Sequence, residues 1–499
     1  MVATSKTLAF VRSQEAPLLP SPANMVGVRG WLKENLFSSI GSAVITLGLG
    51  VVMLWLAWCV IDFAVISAVW VGDSRESCLG IQGGQSGACW PMVIAKLGQW
   101  IYGFYPIDQR WRVNICFVAF AAGIIPMLMP TIRHKILNAA YLFLLFPILT
   151  LVLLTGGNLD FAASSYFVLI CFVFFSATAL PLVVFGVEEG VARNTIGLAS
   201  GGAAALLWLA SFAIGPMTGL HLFGVSLDVG VLSLASGATS VWVICKDGSR
   251  RAMSVVAVWA LALTLLLAAM AVLDFDFGLA PVETAQWGGL LVTLVVSVTG
   301  IVASLPLGIM LALARRSQMP VVRTLSVVYI EVIRGVPLIT VLFMASVMLP
   351  VFLPPGVNFD KLLRALIGVA LFSSAYMAEV VRGGLQAVPK GQYEGAMALG
   401  LSYWQMMLKI ILPQALKISI PNIVGNFISL FKDTTLVLIV GIFDLLGIVQ
   451  AGLRDAAWAS PVSASTGYLT VALIYWAFCF GMSRYATFTE RRLHTGHKR

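Results

Sequence analysis

The sequence predicts an all-α, polytopic membrane protein of about twelve transmembrane helices. Three observations predict it. Of the 499 residues, 59% are hydrophobic and 11% charged, where an ordinary soluble domain carries roughly 25% charged residues. Mean hydropathy is +0.94, and the apolar runs reach the length of about 20 residues that crosses a hydrocarbon core. Basic residues also gather in alternate loops, the pattern that marks the inner side of a membrane. That pattern accounts for the net charge of +9 and leaves no reason to expect a nucleic-acid partner.

Residues 1–35 hold a polar run, SQEAPLLPSPAN, and are expected to be a cytoplasmic segment. No apolar core closely follows the first Lys, which argues against a cleaved signal peptide. Apolar runs then fall at 36–70, 113–130 and 136–156, forming an N-terminal membrane extension over 36–156. Four more, at 163–187, 195–220, 226–245 and 252–273, occupy 157–276. The last five lie at 287–314, 324–353, 361–382, 418–448 and 464–484, and a basic tail closes the chain at 485–499. With the N-terminus inside, the inner loops carry Arg133 and Lys135, Arg193, Lys246, Arg250 and Arg251, Arg315, Arg316 and Arg323, and Lys390. Arg491, Arg492, Lys498 and Arg499 also fall inside, while Asp160, Asp274, Asp276, Glu283 and Asp360 fall outside. Both termini are therefore expected in the cytoplasm, and the lipid membrane is the first partner.

The outer loop 71–112 contains Cys78 and Cys89. An oxidising compartment outside a bacterial inner membrane permits a disulfide, and two free thiols are the alternative. The segment CWPMVIAKLGQWIYGFYP places Trp90, Trp100, Tyr102 and Tyr105 as a helix anchored at the membrane interface. The seven cysteines and four histidines are dispersed, with no CxxC and no metal-ligand spacing, so no metal site is expected. No nucleophile–base set stands out either, and no catalytic residue is assigned.

Intramembrane charge concentrates in the last five spans, with Glu331 and Arg334, Arg364 and Glu379, then Lys432, Asp433 and Asp444. A charge at bilayer depth costs at least about 2.5–3.5 kcal/mol, so such residues usually face a cavity, a partner or a span end. Snorkelling explains several of them. Glu331, Ser373, Tyr376, Glu379, Asp433 and Thr434 are the candidates for a substrate path, with Asp433-Thr434-Thr435 expected to break its helix beside a cavity.

Between the tenth and eleventh spans lies YEGAMALGLSYWQMMLKIILP. Gln392 to Leu399 favours helix, and Gly400 supplies a left-handed C′ stop. Ser402 and Gln405 then fit a capping box that starts a second helix, which Pro413 is expected to end or kink. Tyr403, Trp404, Met406 and Met407 are expected to be exposed around this corner. Two readings stand: a knob that inserts into a partner's groove, and an amphipathic helix on the membrane surface.

The spacing Glu394-Gly395-Ala396, three residues, Gly400, nine residues, Ile410, one residue, Leu412-Pro413 resembles the EAA loop of ATP-binding-cassette importer permeases. Gly395 stands where an Ala is usual. The flanks EVIRGVPLITVLF, AYMAEVVRGGLQAVPKGQYEGAMALG and FKDTTLV look like the polar amino acid permeases over 287–484. YGFYPIDQRWRVN and LNAAYLFLLFPILT look like the general L-amino acid permeases. The resemblance implies a five-helix ABC importer permease core at 287–484, with 157–276 inserted beyond the usual extent. It also implies that the EAA loop at 389–413 contacts a separate ATPase through Glu394, Gly395, Ala396, Gly400, Tyr403, Ile410, Leu412 and Pro413. The chain lacks GxxxxGK[ST], so ATP and Mg would be bound by that ATPase. A second permease, the same or different, and a periplasmic amino acid binding protein are the other implied partners. The rival expectation is an ion-gradient-driven secondary transporter, which would need repeat halves and midplane coupling residues; the two halves here are unlike.

Overall fold

The computed structural model describes residues 27–79, 87–132, 134–157, 275–352 and 360–493, with a few positions between 221 and 273. The expected spans at 163–187, 195–220, 226–245 and 252–273 lie outside the described residues except for those few positions. So do most of the N-terminal segment, the last six residues of the tail, and Arg133, Arg193, Lys246, Arg250, Arg251, Asp160 and Asp274.

The described elements are almost all helical. They are α1 (Gly27–Asn35), α2 (Ile40–Ile61), α3 (Trp90–Tyr102), α4 (Arg110–Leu128) and α5 (Lys135–Thr155). The later part of the chain adds α6 (Gly289–Arg315), α7 (Pro320–Gly335), α8 (Leu338–Phe343), α9 (Lys361–Ala387) and α10 (Lys390–Ala398). Last come α11 (Tyr403–Met406), α12 (Leu412–Asp433), α13 (Leu445–Gly452) and α14 (Ser463–Leu493). A two-residue antiparallel pairing joins β1 (His221–Leu222) to β2 (Val225–Ser226).

Among the described residues seven helices are long and apolar enough to span a membrane, or eight if α7 and the stretch Leu338–Met348 count as one bent span. That pair differs from the single span expected at 324–353: the axis turns by 106°. Val336 sits in the extended region at φ −106°, ψ 136°, because the ring of Pro337 disfavours helical backbone in the residue before it. The eleventh span also differs. It runs as one 38-residue helix from Tyr403 to Val440, so Pro413 does not end a separate short helix. The coil widens into a π-turn at Met407–Ile411, and Pro413 follows it directly in α12, where the regular i→i−4 ladder is already interrupted. At Asp433-Thr434 the expected break is a tightening: α12 passes into a 3-10 helix, Thr434–Val440, that Gly441 closes at φ +74°.

Two compact units make up the chain, Met1–Met92 with Ala456–Thr466, and Val93–Asp455 with Gly467–Arg499. In the first, Ser39 caps α2 by accepting from Ser42 N–H at 3.1 Å. None of the residues of α2 is buried, as suits a helix that faces lipid. A disulfide joins Cys78 to Cys89, and Cys89 N–H donates to Thr466 Oγ1 at 3.0 Å.

In the second unit, α6, α9 and α12 pack face to face. Membrane helices lack a strong hydrophobic drive to associate, so small residues that admit close backbone approach do this work. A Cβ at Gly308 would stand 2.6 Å from the Met377 side chain, and one at Gly384 would stand 2.0 Å from Ser419 Oγ. Asp360 caps α9 and Asp444 caps α13 through their carboxylates. Trp100 and Tyr105, expected at the lipid interface, are 2% and 1% exposed; the Tyr105 hydroxyl donates to Leu154 O at 3.1 Å.

Candidate functional site

The corner between α9 and α12 is built from local chemistry. Helix α10 ends in a Schellman closure, with Leu401 N–H on Ala396 O at 3.3 Å and Gly400 N–H on Met397 O at 2.9 Å. Gly400 takes φ +68°, the left-handed conformation that a side chain disfavours. The chain restarts at once. Ser402 Oγ accepts from Gln405 N–H at 3.4 Å, and Gln405 Oε1 accepts from Ser402 N–H at 3.1 Å, the reciprocal capping box of the S-x-x-Q signature.

Around this corner Glu394, Gly395 and Gly400 are exposed, Ala396 is buried, and Ile410 and Leu412 are half-buried. The apolar knob differs from the one expected. Met406 and Met407 are buried among Ala396, Ile411 and Ala415. In their place Met397, Leu399 and Leu408 stand out beside Tyr403 and Trp404. The two aromatic rings meet edge to face at 5.4 Å. The reason is rotation: continuing one helix from Tyr403 into α12 turns residues 406 and 407 toward the core, and leaves 404 and 408 on the outer face.

A cavity of about 490 Å³ opens between α9 and α12. Phe372, Ser373, Tyr376 and Val380 line it from α9; Asn422, Asn426, Ser429 and Asp433 line it from α12, with Pro421, Gly425 and Leu430. The polar residues on α12 recur at intervals of four, three and four, which places them on one face of a helix. Three of the path candidates, Ser373, Tyr376 and Asp433, meet here. Asn422, Asn426 and Ser429 were not singled out from sequence, although their period along an apolar run was the available signal. Asp433 is the carboxylate on this lining.

Glu331, Glu379 and Thr434 are not on the cavity lining. Glu331 lies 3.0 Å from Arg315. Glu379 is gripped by Arg382, with Arg315 at 3.6 Å and Arg334 at 3.8 Å. Three arginines thus share two carboxylates. Thr434 is buried, donating to Phe431 O at 2.8 Å and sharing a hydrogen bond with the Tyr475 hydroxyl at 3.2 Å. Among the described residues no group of three or more His, Cys, Asp or Glu is arranged to hold a metal ion.

A family model described as the binding-protein-dependent transport system inner membrane component matches residues 304–495, which include α7 through α14. The inner membrane amino-acid ABC transporter permease protein YhdY of Escherichia coli (strain K12) is 37% identical over 484 residues, 96% of this chain and 97% of that protein. The chain belongs to the amino-acid ABC transporter permeases. The glutamate/glutamine/aspartate/asparagine transport system permease protein BztC of Rhodobacter capsulatus is 39% identical over 498 residues, 98% of this chain and 99% of that protein. The probable glutamine ABC transporter permease protein GlnP of Bacillus subtilis is 34% identical over 209 residues, 41% of this chain and 92% of that protein. The family thus includes relatives that match almost the whole of this permease and shorter ones that match less than half of it.

Proposed function

We propose that this permease is the membrane-spanning subunit of an ATP-driven importer of polar L-amino acids in a bacterial inner membrane. It would receive substrate from a periplasmic binding protein and work beside a second permease, identical or different. The observation that carries this reading is the corner. A backbone reversal at Gly400, locked by a capping box, presents Met397, Leu399, Tyr403, Trp404 and Leu408 to a partner, and buried apolar and aromatic anchors are what protein interfaces use. At 1.5 Å per residue the 38-residue helix Tyr403–Val440 is about 57 Å long, well beyond a hydrocarbon core of about 30 Å. Its first turns therefore have length to project past the bilayer, where a separate ATPase would seat the corner. ATP and Mg belong to that ATPase.

In this reading twelve spans cross the membrane with both termini inside, and Arg315, Arg316, Lys390, Lys409 and Lys417 mark the cytoplasmic end. Substrate passes through the cavity between α9 and α12. Asp433 meets its ammonium, and Ser373, Tyr376, Asn422, Asn426 and Ser429 supply donors and acceptors for its carboxylate and side chain. Closure of the ATPase pair moves the corner and switches the cavity between outward and inward access.

The test is purification of the tagged permease from its host membrane in mild detergent, beside a Gly400→Asp variant. A nucleotide-binding subunit that accompanies the parent and is lost from a still-monodisperse variant supports the reading. Its absence from the parent overturns it.

A further inference from the structure

The corner and the cavity are joined by side chains at the end of α6. Arg316 Nη1 donates to the Tyr393 hydroxyl at 3.0 Å, and that hydroxyl donates onward to Leu385 O at 3.0 Å. The Arg316 guanidinium also lies 5.4 Å from the centre of the Tyr393 ring. One phenol on α10 thus holds both the end of α6 and the last turns of α9, and its oxygen uses its donor and one acceptor site in doing so.

Its neighbour Arg315 faces the other way. It pairs with Glu331 on α7 at 3.0 Å and approaches Glu379 on α9 at 3.6 Å. Glu379 in turn draws in Arg334, whose guanidinium lies 5.7 Å from the Tyr376 ring. The Tyr376 hydroxyl donates to Arg334 O at 3.4 Å, and Tyr376 lines the cavity. Tyr393 thus reaches the cavity wall in two ways: directly onto α9 at Leu385 O, and through the adjacent residues Arg316 and Arg315, whose side-chain contacts run by way of Glu379 and Arg334 to Tyr376.

We propose that Arg316 is a positioning residue: with Tyr393 it forms the joint through which movement of α10 reaches α6 and α9, and Arg315 passes that movement to the cavity wall. The proposal rests on the reading of α10 as an ATPase-driven element. It explains why α6 ends on two adjacent arginines whose partners lie on opposite sides, one on the corner and one in the bundle. If the contact is only a surface hydrogen bond, breaking it changes nothing at the cavity; if it is the joint, the corner moves and the cavity does not follow.

The experiment uses the full chain purified with its co-purifying ATPase and carrying Ser429→Cys as a reporter in the cavity. The rate of reaction with a membrane-impermeant maleimide is measured without nucleotide and after trapping with ATP and vanadate, and labelling of the chain without the reporter is subtracted. In the parent, trapping changes the reporter rate several-fold. In Arg316→Gln and Tyr393→Phe, which keep the ATPase bound and hydrolysing, the change falls to less than half of the parental value. The Arg316→Gln/Tyr393→Phe double variant loses less than the sum of the two single losses, because the Arg316–Tyr393 hydrogen bond is broken by both substitutions. An undiminished response in the single variants overturns the proposal, as does an additive loss in the double. Loss of the ATPase from Tyr393→Phe also overturns it, since Tyr393 would then shape the docking surface. A parent whose reporter ignores ATP overturns the coupling reading itself, and the joint with it.

Discussion

Two glycines on the same corner give opposite expectations when replaced by Ala. Neither Gly395 nor Gly400 has any atom within 4 Å of where a Cβ would stand, so neither substitution meets a clash and the backbone alone decides. Gly400 holds φ +68°, and an L-residue in that region pays roughly 1–2 kcal/mol. Because 1.4 kcal/mol is a factor of ten, Gly400→Ala lowers the equilibrium constant for closing the corner by about 5- to 30-fold. Gly395 sits inside α10 with ordinary helical backbone, where Ala is better than Gly by about 0.8–1.0 kcal/mol, so Gly395→Ala tightens the same helix. Hydrogen exchange read by mass spectrometry over 390–405 measures both. The Leu401 and Gly400 amides, which close on Ala396 O and Met397 O, exchange about tenfold faster in Gly400→Ala and more slowly in Gly395→Ala. Gly400→Asn lies between parent and Gly400→Ala, since Asn tolerates the left-handed region. A shift of the same sign in both Ala variants, or Asn exchanging faster than Ala, would refute the backbone argument.

Other perturbations test other parts of the molecule. Gly289→Ala places a Cβ 2.1 Å from Trp100 O at a backbone φ of +64°; it should cost more than about 3 kcal/mol and abolish a monodisperse peak in detergent chromatography. Ser402→Ala removes one half of the capping box and should cost about 1 kcal/mol, seen as faster exchange of the Gln405 amide. Glu379→Ala strips Arg382, Arg315 and Arg334 of their shared carboxylate. With that side chain about a quarter exposed, roughly 2–4 kcal/mol is expected, and thermal unfolding in detergent should fall further for Glu379→Ala than for Glu331→Ala. Reduction should expose two more thiols to a polyethylene-glycol maleimide, and no more in a Cys78→Ser/Cys89→Ser variant. Opening that crosslink, eleven residues apart in sequence, removes about 3 kcal/mol of loop-closure stabilisation.

Much of this permease was legible in its sequence because the governing interactions are local. Gly400 as a stop and Ser402 with Gln405 as a restart are contacts across three to five residues, and the structure contains both. The described spans likewise follow from apolar run length, which a bilayer reads without reference to neighbouring helices. Pro413 does not end the helix, because the rule about one missing donor does not register the π-turn just before it, which lets the helix pass through. The bend at Val336-Pro337 carried its signal in the proline, yet the apolar run 324–353 outweighed it.

What the sequence determined by itself is the membrane class, the order of the described spans, and the corner at Gly400. Each depends on composition or on neighbours within one or two turns. The tertiary structure alone decided which faces turn inward. Rotation of the long helix buried Met406 and Met407 and left Met397, Leu399 and Leu408 outside. The same rotation aligned Asn422, Asn426, Ser429 and Asp433 on one wall with Ser373 and Tyr376 opposite. Packing of α6, α7 and α9 likewise set Glu331 against Arg315, and Glu379 against Arg315 and Arg334 beside Arg382 of its own helix. Charge and periodicity list the residues able to line a path, but packing at Gly308 and Gly384, where backbones approach too closely for any side chain, sets the helix orientations that select among them.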